Sequence, residues 1–269
     1  ELPQIVAGFD SFSSDFATSI FKKLTQTIVN VEHLEEAELI KLMDNTFRDL
    51  TFAYSNQIAQ IADKYDLNAS KIIQAANEGY SRNSIPKPSP GVGGVCLKKD
   101  PYILVSSSKK KGYVPKLTEV ARHINENMPN YIISKIERFS KSSGKDLSQM
   151  KIFVIGFAFK GNPETSDTRQ SSTLDVTNKL RQLTTNIFGY DPVLNQNAFQ
   201  QFNVMPVDLE TGFKNADCVL IMNNHSSYSN FDIYHFLSKT NKPSLFFDGW
   251  GIFGKKVIQQ IDHVLYETI

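Results

Sequence analysis

The chain has 269 residues, with 29 Lys and Arg against 28 Asp and Glu, for a formal net charge of +1. That balance argues against an electrostatic nucleic-acid binder, and no run of about 18 apolar residues offers a membrane span. The length suffices for two domains with sizeable cores.

Residues 3–9 (Pro-Gln-Ile-Val-Ala-Gly-Phe) read as a short buried strand ended by Gly8. Residues 12–29 carry a helical apolar pattern in Phe16, Ile20, Phe21, Leu24 and Ile28. A strand and helix at the start need a sheet to pack on, so this segment is expected to be the tail of a preceding domain. No signal peptide opens the chain, and a first residue of Glu1 fits a trimmed or partial polypeptide.

Residues 36–65 predict a long helix. Leu39, Leu42, Met43, Phe47, Leu50, Tyr54, Ile58, Ile61 and Tyr65 keep near-helical spacing, and no Gly or Pro interrupts them. A second helix is expected over Ala69–Glu78, capped near Asn68. Ser81–Gly94 is irregular and rich in Pro and Gly, the composition of a functional or disordered loop. A helix is expected to start near Asp100, and another to span Leu117–Ser140 with an interruption at Pro129. Ser142–Asp146 reads as a linker or surface turn.

The rhythm then changes. Met150–Phe157 reads as a buried strand, Ser171–Leu183 as a helix and Asn186–Tyr190 as a strand. Asn203–Pro206, Cys218–Met222 and Leu245–Asp248 read as further strands. Strands alternating with helices predict a parallel α/β sheet.

Cys96 and Cys218 are far apart and do not form a disulfide framework. A reducing, cytoplasmic setting is expected. The five histidines (33, 123, 225, 235 and 263) show no metal-ligand spacing, so no metal is expected.

Pro90-Gly-Val-Gly-Gly-Val-Cys-Leu-Lys-Lys-Asp100 sets Cys96 directly after a glycine-rich turn. Glycines allow close backbone approach to a ligand, and a thiolate presented there is a strong nucleophile. A buried core cysteine is the alternative. Lys41 and Asn45 lie four apart on one helix face, suited to an oxyanion or a water, or simply exposed. Asp100 could orient such a lysine or move a proton; it could equally be a helix-start acid. Gly156–Arg169 follows a strand and precedes a helix, where ligands bind in open α/β sheets. There Phe159 suits stacking and Lys160 suits a phosphate or base, although a plain connection with a surface ion pair has the same composition. No G-x-G-x-x-G fingerprint occurs in the chain.

Together these segments resemble the UDP-glucose/GDP-mannose dehydrogenase family, and within it the UDP-N-acetylhexosamine 6-dehydrogenases of bacterial polysaccharide synthesis. Leu2–Gly8 looks like the segment closing the family's first domain, and Ala37–Lys41 with Asn45 like the start of its central helix. Pro90–Asp100 resembles its nucleophile loop, and Gly156–Arg169 its UDP-binding loop. Asn125-Glu-Asn-Met-Pro129 and Tyr190-Asp191-Pro192 are similar to smaller landmarks.

The resemblance implies an α/β protein with a central all-helical domain built on a long dimerisation helix, followed by a Rossmann-like parallel α/β domain. The expected divisions are 1–32 as the remnant of an NAD-binding domain, 33–145 as the helical domain and 146–269 as the UDP-sugar-binding domain. It implies oxidation of a sugar C6 alcohol to a carboxylate with two NAD, and a homodimer. Cys96 would attack the C6 aldehyde, Lys41 and Asn45 would stabilise the oxyanion, and Asp100 would support Lys41 and the water. Arg82 resembles an arginine inserted by a neighbouring subunit. The Ile85–Gly93 backbone, including Ser89, would line the UDP-sugar, with Phe159 and Lys160 at the UDP end and Arg169 toward the cofactor. NAD would be held mainly by a domain preceding Glu1, leaving the chain inactive alone. Two departures stand out. Asp248-Gly249-Trp250 has Trp where some relatives have Arg, and Asn56-Gln57 replaces the common Asn-Glu. The rival readings are a non-catalytic UDP-sugar-binding or scaffolding subunit, and a cysteine hydrolase pairing Cys96 with His225 or His123.

Overall fold

The computed structural model describes residues 2–269. It opens with strand β1 (Gln4–Val6), helix α1 (Ser11–Phe21) and strand β2 (Ile28–Asn30), with β1 and β2 paired in parallel. Asp10 starts α1 by accepting a hydrogen bond from the Ser13 backbone N–H at 2.7 Å. The helix expected over 12–29 therefore ends early. Thr25, Thr27, Ile28 and Val29 are β-branched, stiff at χ1, and favour extended backbone.

Helices α2 (Leu34–Lys64), α3 (Ala69–Asn77), α4 (Val95–Lys110) and α5 (Lys116–Ser143) follow. The Glu36 carboxylate accepts from the backbone N–H groups of Glu32 and His33 at 2.9 and 3.0 Å, closing the start of α2. Helix α2 packs on both α4 and α5, and its inward face is small: Ala53, Ser55, Ala59 and Ala62 are all buried.

Two expectations for this region are corrected. Helix α4 starts at Val95 with Gly94 as its cap, at φ 90, which puts Cys96 in the first turn. Pro101 obscured that start, because it removes the N–H that would bond the Leu97 carbonyl. The Arg122 guanidinium takes that carbonyl instead, at 3.4 Å. Helix α5 runs through Pro129 without interruption and ends at Gly144, whose φ of 71 suits a left-handed cap.

The chain then builds β3 (Ile152–Ile155), α6 (Ser172–Leu180), β4 (Ile187–Tyr190), β5 (Met205–Pro206), α7 (Leu209–Phe213), β6 (Cys218–Ile221), α8 (Ile233–Ser238), β7 (Ser244–Asp248), α9 (Lys255–Ile258) and β8 (Val264–Thr268). The strands form one six-stranded sheet in the order β5-β4-β3-β6-β7-β8, all parallel. Strands β3, β6 and β7 are buried along their whole length. They consequently read as continuous apolar runs rather than alternating ones.

The two faces of the sheet bury different cores. Ile152 and Val154 pack with Met128, Ile132 and Ile136 of α5, so the helical part and the sheet share one core. Phe153 and Ile155 face Phe213, Tyr228 and Phe246 on the other side. Each such side chain contributes about 1.5–3 kcal/mol on burial. Among the described residues, no helix is long and apolar enough to cross a membrane.

Candidate active site and nucleotide cavity

The strand order reverses between β3 and β6. One connection from the centre leads to β4 and the other neighbour is β6, which opens a crevice at their carboxyl ends. The loop leaving β3 is pinned along its length. Asp191 Oδ2 accepts from the Phe157 and Ala158 N–H groups at 2.7 and 3.0 Å. Asn224 Oδ1 accepts from the Gly161 and Asn162 N–H groups at 2.9 and 3.1 Å. His225 Nε2 lies 2.7 Å from Glu164. Gly161 is required here, because a Cβ would stand 2.1 Å from the His225 backbone nitrogen. Phe159 and Lys160 are thereby fixed, with Lys160 Nζ 5.4 Å from its neighbour's ring centroid.

The cysteine loop docks on this platform. The Gly94 N–H donates to the Gln170 carbonyl at 3.3 Å. A Cβ on Gly93 or Gly94 would lie within 3.1 or 3.2 Å of Phe159. Lys98 pairs with Asp175 at 2.5 Å, tying α4 to α6. Ser89 is held from beneath. Its N–H donates to Asn56 Oδ1 and the Asn56 amide donates to Asn125 Oδ1, each at 2.9 Å. Asn125 donates to Asp49 Oδ1 at 2.8 Å, and Asp49 pairs with buried Arg122 at 2.5 Å.

Cys96 is exposed. Val95, Cys96 and Leu97 precede the first intrahelical bond, from the Lys98 N–H to the Gly94 carbonyl, so their N–H groups are available to a developing negative charge. One turn on, Asp100 is buried and gathers three partners: Asn45 donates at 2.6 Å, Lys41 at 3.2 Å, and Lys99 Nζ lies 3.0 Å away. Burial opposes ionisation of Asp100, but Lys99, Asn45 and Lys41 outweigh it and hold the carboxyl below the usual carboxylate range. Cys218 is the opposite case, a buried core thiol pushed well up by desolvation.

A cavity of about 250 Å³ opens between α2, the cysteine loop and the carboxyl ends of the strands. Ser89, Gly93, Phe159 and Lys160, singled out from the sequence, line it, joined by Arg48, Phe52, Asn224 and Trp250. Arg82 and Ile85 do not line it. Arg82 is exposed, and Ile85 spends both backbone groups on the Asn77 amide, at 3.0 and 2.8 Å. Arg48 and Phe52 escaped the sequence reading, although positions 41, 45, 48 and 52 keep helical spacing along one face. Trp250 is set by its N–H to Met222 O, at 3.1 Å, and by Gly249, where a Cβ would meet Pro90 at 2.4 Å. A larger hollow of about 580 Å³ lies between α2, α5 and β8. It holds none of the candidate site residues, and its Asp63 and Glu267 both pair with Lys135, at 2.8 and 2.7 Å.

The hydrolase reading finds no base. His225 Nδ1 accepts from the Ser227 N–H at 3.2 Å while Nε2 faces Glu164. Among the described residues neither His225 nor His123 bonds Cys96, and no group of His, Cys, Asp or Glu could hold a metal. For a dinucleotide, the residue expected from the sequence is Arg169. Asp167 holds its Nε and Nη2 at 3.0 and 2.8 Å, which leaves the outer N–H groups of Nη1 and Nη2: one side chain rather than a cradle.

Residues 35–127 match the model of the UDP-glucose/GDP-mannose dehydrogenase family, central domain, and residues 153–255 match that family's UDP binding domain. UDP-N-acetyl-D-mannosamine dehydrogenase of Methanocaldococcus jannaschii is 33% identical over 233 residues, covering 86% of this chain and 50% of the relative. The enzyme of that name from Campylobacter jejuni is 31% identical over 232 residues, covering 85% and 54%. The solved UDP-D-ManNAc dehydrogenase from Pyrococcus horikoshii superposes with a TM-score of 0.86 at 27% identity, over 99% of this chain and 59% of that one. The chain thus spans about half the length of the curated relatives it matches.

Proposed function

The chain belongs to the UDP-glucose/GDP-mannose dehydrogenase family, and from that premise we propose that it carries the nucleophile and nucleotide site of a UDP-sugar 6-dehydrogenase. The substrate class is a UDP-N-acetylhexosamine, by analogy with the relatives named above. The observation that carries the reading is the meeting of Lys41, Asn45 and Asp100 one helical turn behind an exposed Cys96.

NAD, when bound, supplies the hydride acceptor for two successive oxidations at C6. Within the chain, the Cys96 thiolate adds to the C6 aldehyde carbon, forming a C–S bond and an oxyanion. Lys41 and Asn45 stabilise that oxygen. After the second oxidation the carbon is a thioester. Water adds to the thioester carbon with one proton passing to Asp100, the C–S bond breaks and the thiolate leaves, and the second proton is lost to solvent as the carboxylate forms. Covalent tethering keeps the aldehyde from escaping between stages. Arg169 supplies one contact at the cofactor edge, and with no G-x-G-x-x-G in the sequence the chain alone is not expected to turn over. Division near residues 32 and 145, and pairing of two copies through α2, belong to the same reading.

Calorimetric titration with UDP and a panel of UDP-sugars tests it. Binding by UDP, weakened about tenfold or more in Lys160→Ala, is the expected result. Absence of UDP binding, or UDP binding indifferent to Lys160, would overturn it.

A further inference from the structure

We propose that Arg48 is a diphosphate-binding residue of the nucleotide cavity, acting opposite Lys160; this rests on the UDP-sugar reading above. Among the described residues, Arg48 and Lys160 are the two charged ones lining that cavity, and no carboxylate lines it. Neither cation forms an ion pair among the described residues. The neighbouring acid, Asp49, is committed to Arg122 and Asn125. In a chain whose net charge is only +1, a hollow walled by two unpaired cations and aromatic side chains is built for a polyanion with flat rings.

A nucleoside diphosphate has that chemistry. Lys160, on the loop after β3, can neutralise one charge of the diphosphate as a point cation. Arg48 comes from α2, on the face that carries Lys41 and Asn45, two and one turns earlier. It therefore reaches the ligand from the side of Cys96, between the nucleotide platform and the reacting carbon. A guanidinium can grip two phosphate oxygens at once, which orients the sugar end of the ligand as well as holding it.

The test is titration of the wild-type chain, Arg48→Gln and Arg48→Lys with uridine, UMP and UDP. Arg48 is exposed and unpaired, so both variants keep the fold, and the uridine arm reports an intact cavity directly. The expected result is UDP affinity reduced about tenfold or more in Arg48→Gln, equivalent to about 1.4 kcal/mol, a smaller loss in Arg48→Lys, and uridine binding unchanged. Equal UDP affinity in wild type and Arg48→Gln overturns the inference while leaving the UDP reading intact. Equal losses for uridine and UDP also overturn it, by assigning Arg48 to packing. A wild-type chain that binds no UDP removes the reading and the inference together.

Discussion

Asn45 donates its amide to Asp100 Oδ2 at 2.6 Å, joining the long helix to the helix that presents Cys96 through a carboxylate that Lys41 also approaches. That carboxyl is buried and titrates below its ordinary value. A depressed folded-state value contributes stability above the unfolded value of about 3.9, and the contribution is lost as pH falls through the folded value. Asp100→Asn is expected to lower unfolding free energy at pH 7 by about 1–3 kcal/mol, with the gap to wild type closing in acid below about pH 4. Urea titrations across pH check this; a gap independent of pH would remove Asp100 as a charged anchor.

Asn56→Ala is expected to cost about 2–4 kcal/mol, because it strands the Ser89 N–H and the Asn125 oxygen in a dry interior. Asn56→Asp should be no better. Its second oxygen would face Asn125 Oδ1, and Asn125 cannot turn, since its amide is engaged with the Asp49 carboxylate and carbonyl at 2.8 and 2.9 Å. Both variants should also weaken UDP binding, as Ser89 lines the cavity. Near-native denaturation of Asn56→Asp would show that the network is not fixed in direction.

The parallel sheet was legible because β3, β6 and β7 are short apolar runs between turn signals, and α2 because its spacing is unbroken. The start of α4 was hidden by Pro101, whose missing donor is compensated by Arg122, distant in sequence. Strand β8 was missed because Val264-Leu-Tyr-Glu-Thr268 lies at the sheet edge and carries no fully buried residue. At the site, the family motifs pointed to Cys96, Lys160 and their neighbours, while Arg48, Phe52 and Asn224 face the cavity only because tertiary packing brings α2 against the strand ends. Ile85 shows the converse: a residue inside a motif whose backbone is consumed locally, by Asn77.

Gly161→Ala should uncouple the nucleotide loop from the rest of the fold. The added methyl would sit 2.1 Å from a backbone nitrogen and 2.4 Å from the His225 Cα, atoms that cannot rotate away. The loop must shift, breaking the paired N–H contacts to Asn224 and moving Lys160. The expected outcome is UDP affinity reduced about tenfold or more, with thermal stability falling less than for Asn56→Ala, since Gly161 itself lies outside both cores. Unchanged UDP affinity would show that Lys160 acts without this clamp.

Helix α2 turns an unpartnered apolar stripe outward. Leu39, Met43, Phe47, Tyr54 and Ile61 are 53%, 52%, 64%, 50% and 47% exposed, along a 31-residue helix that extends about 46 Å. A stripe of that length is rare on a monomer. A second copy related by a two-fold axis would cover it with the same residues, without any new surface. The chain is therefore expected to be dimeric at micromolar concentration, and Phe47→Asp to be monomeric, by sedimentation velocity. The fold should survive, because Phe47 points away from α4 and α5. A monomeric wild type would remove α2 as the interface. The UDP affinity of the Phe47→Asp monomer then decides a second point. Unchanged affinity means one chain completes the nucleotide site. A loss means that the partner supplies part of it, the role expected for Arg82, which lies exposed and outside its own chain's cavity.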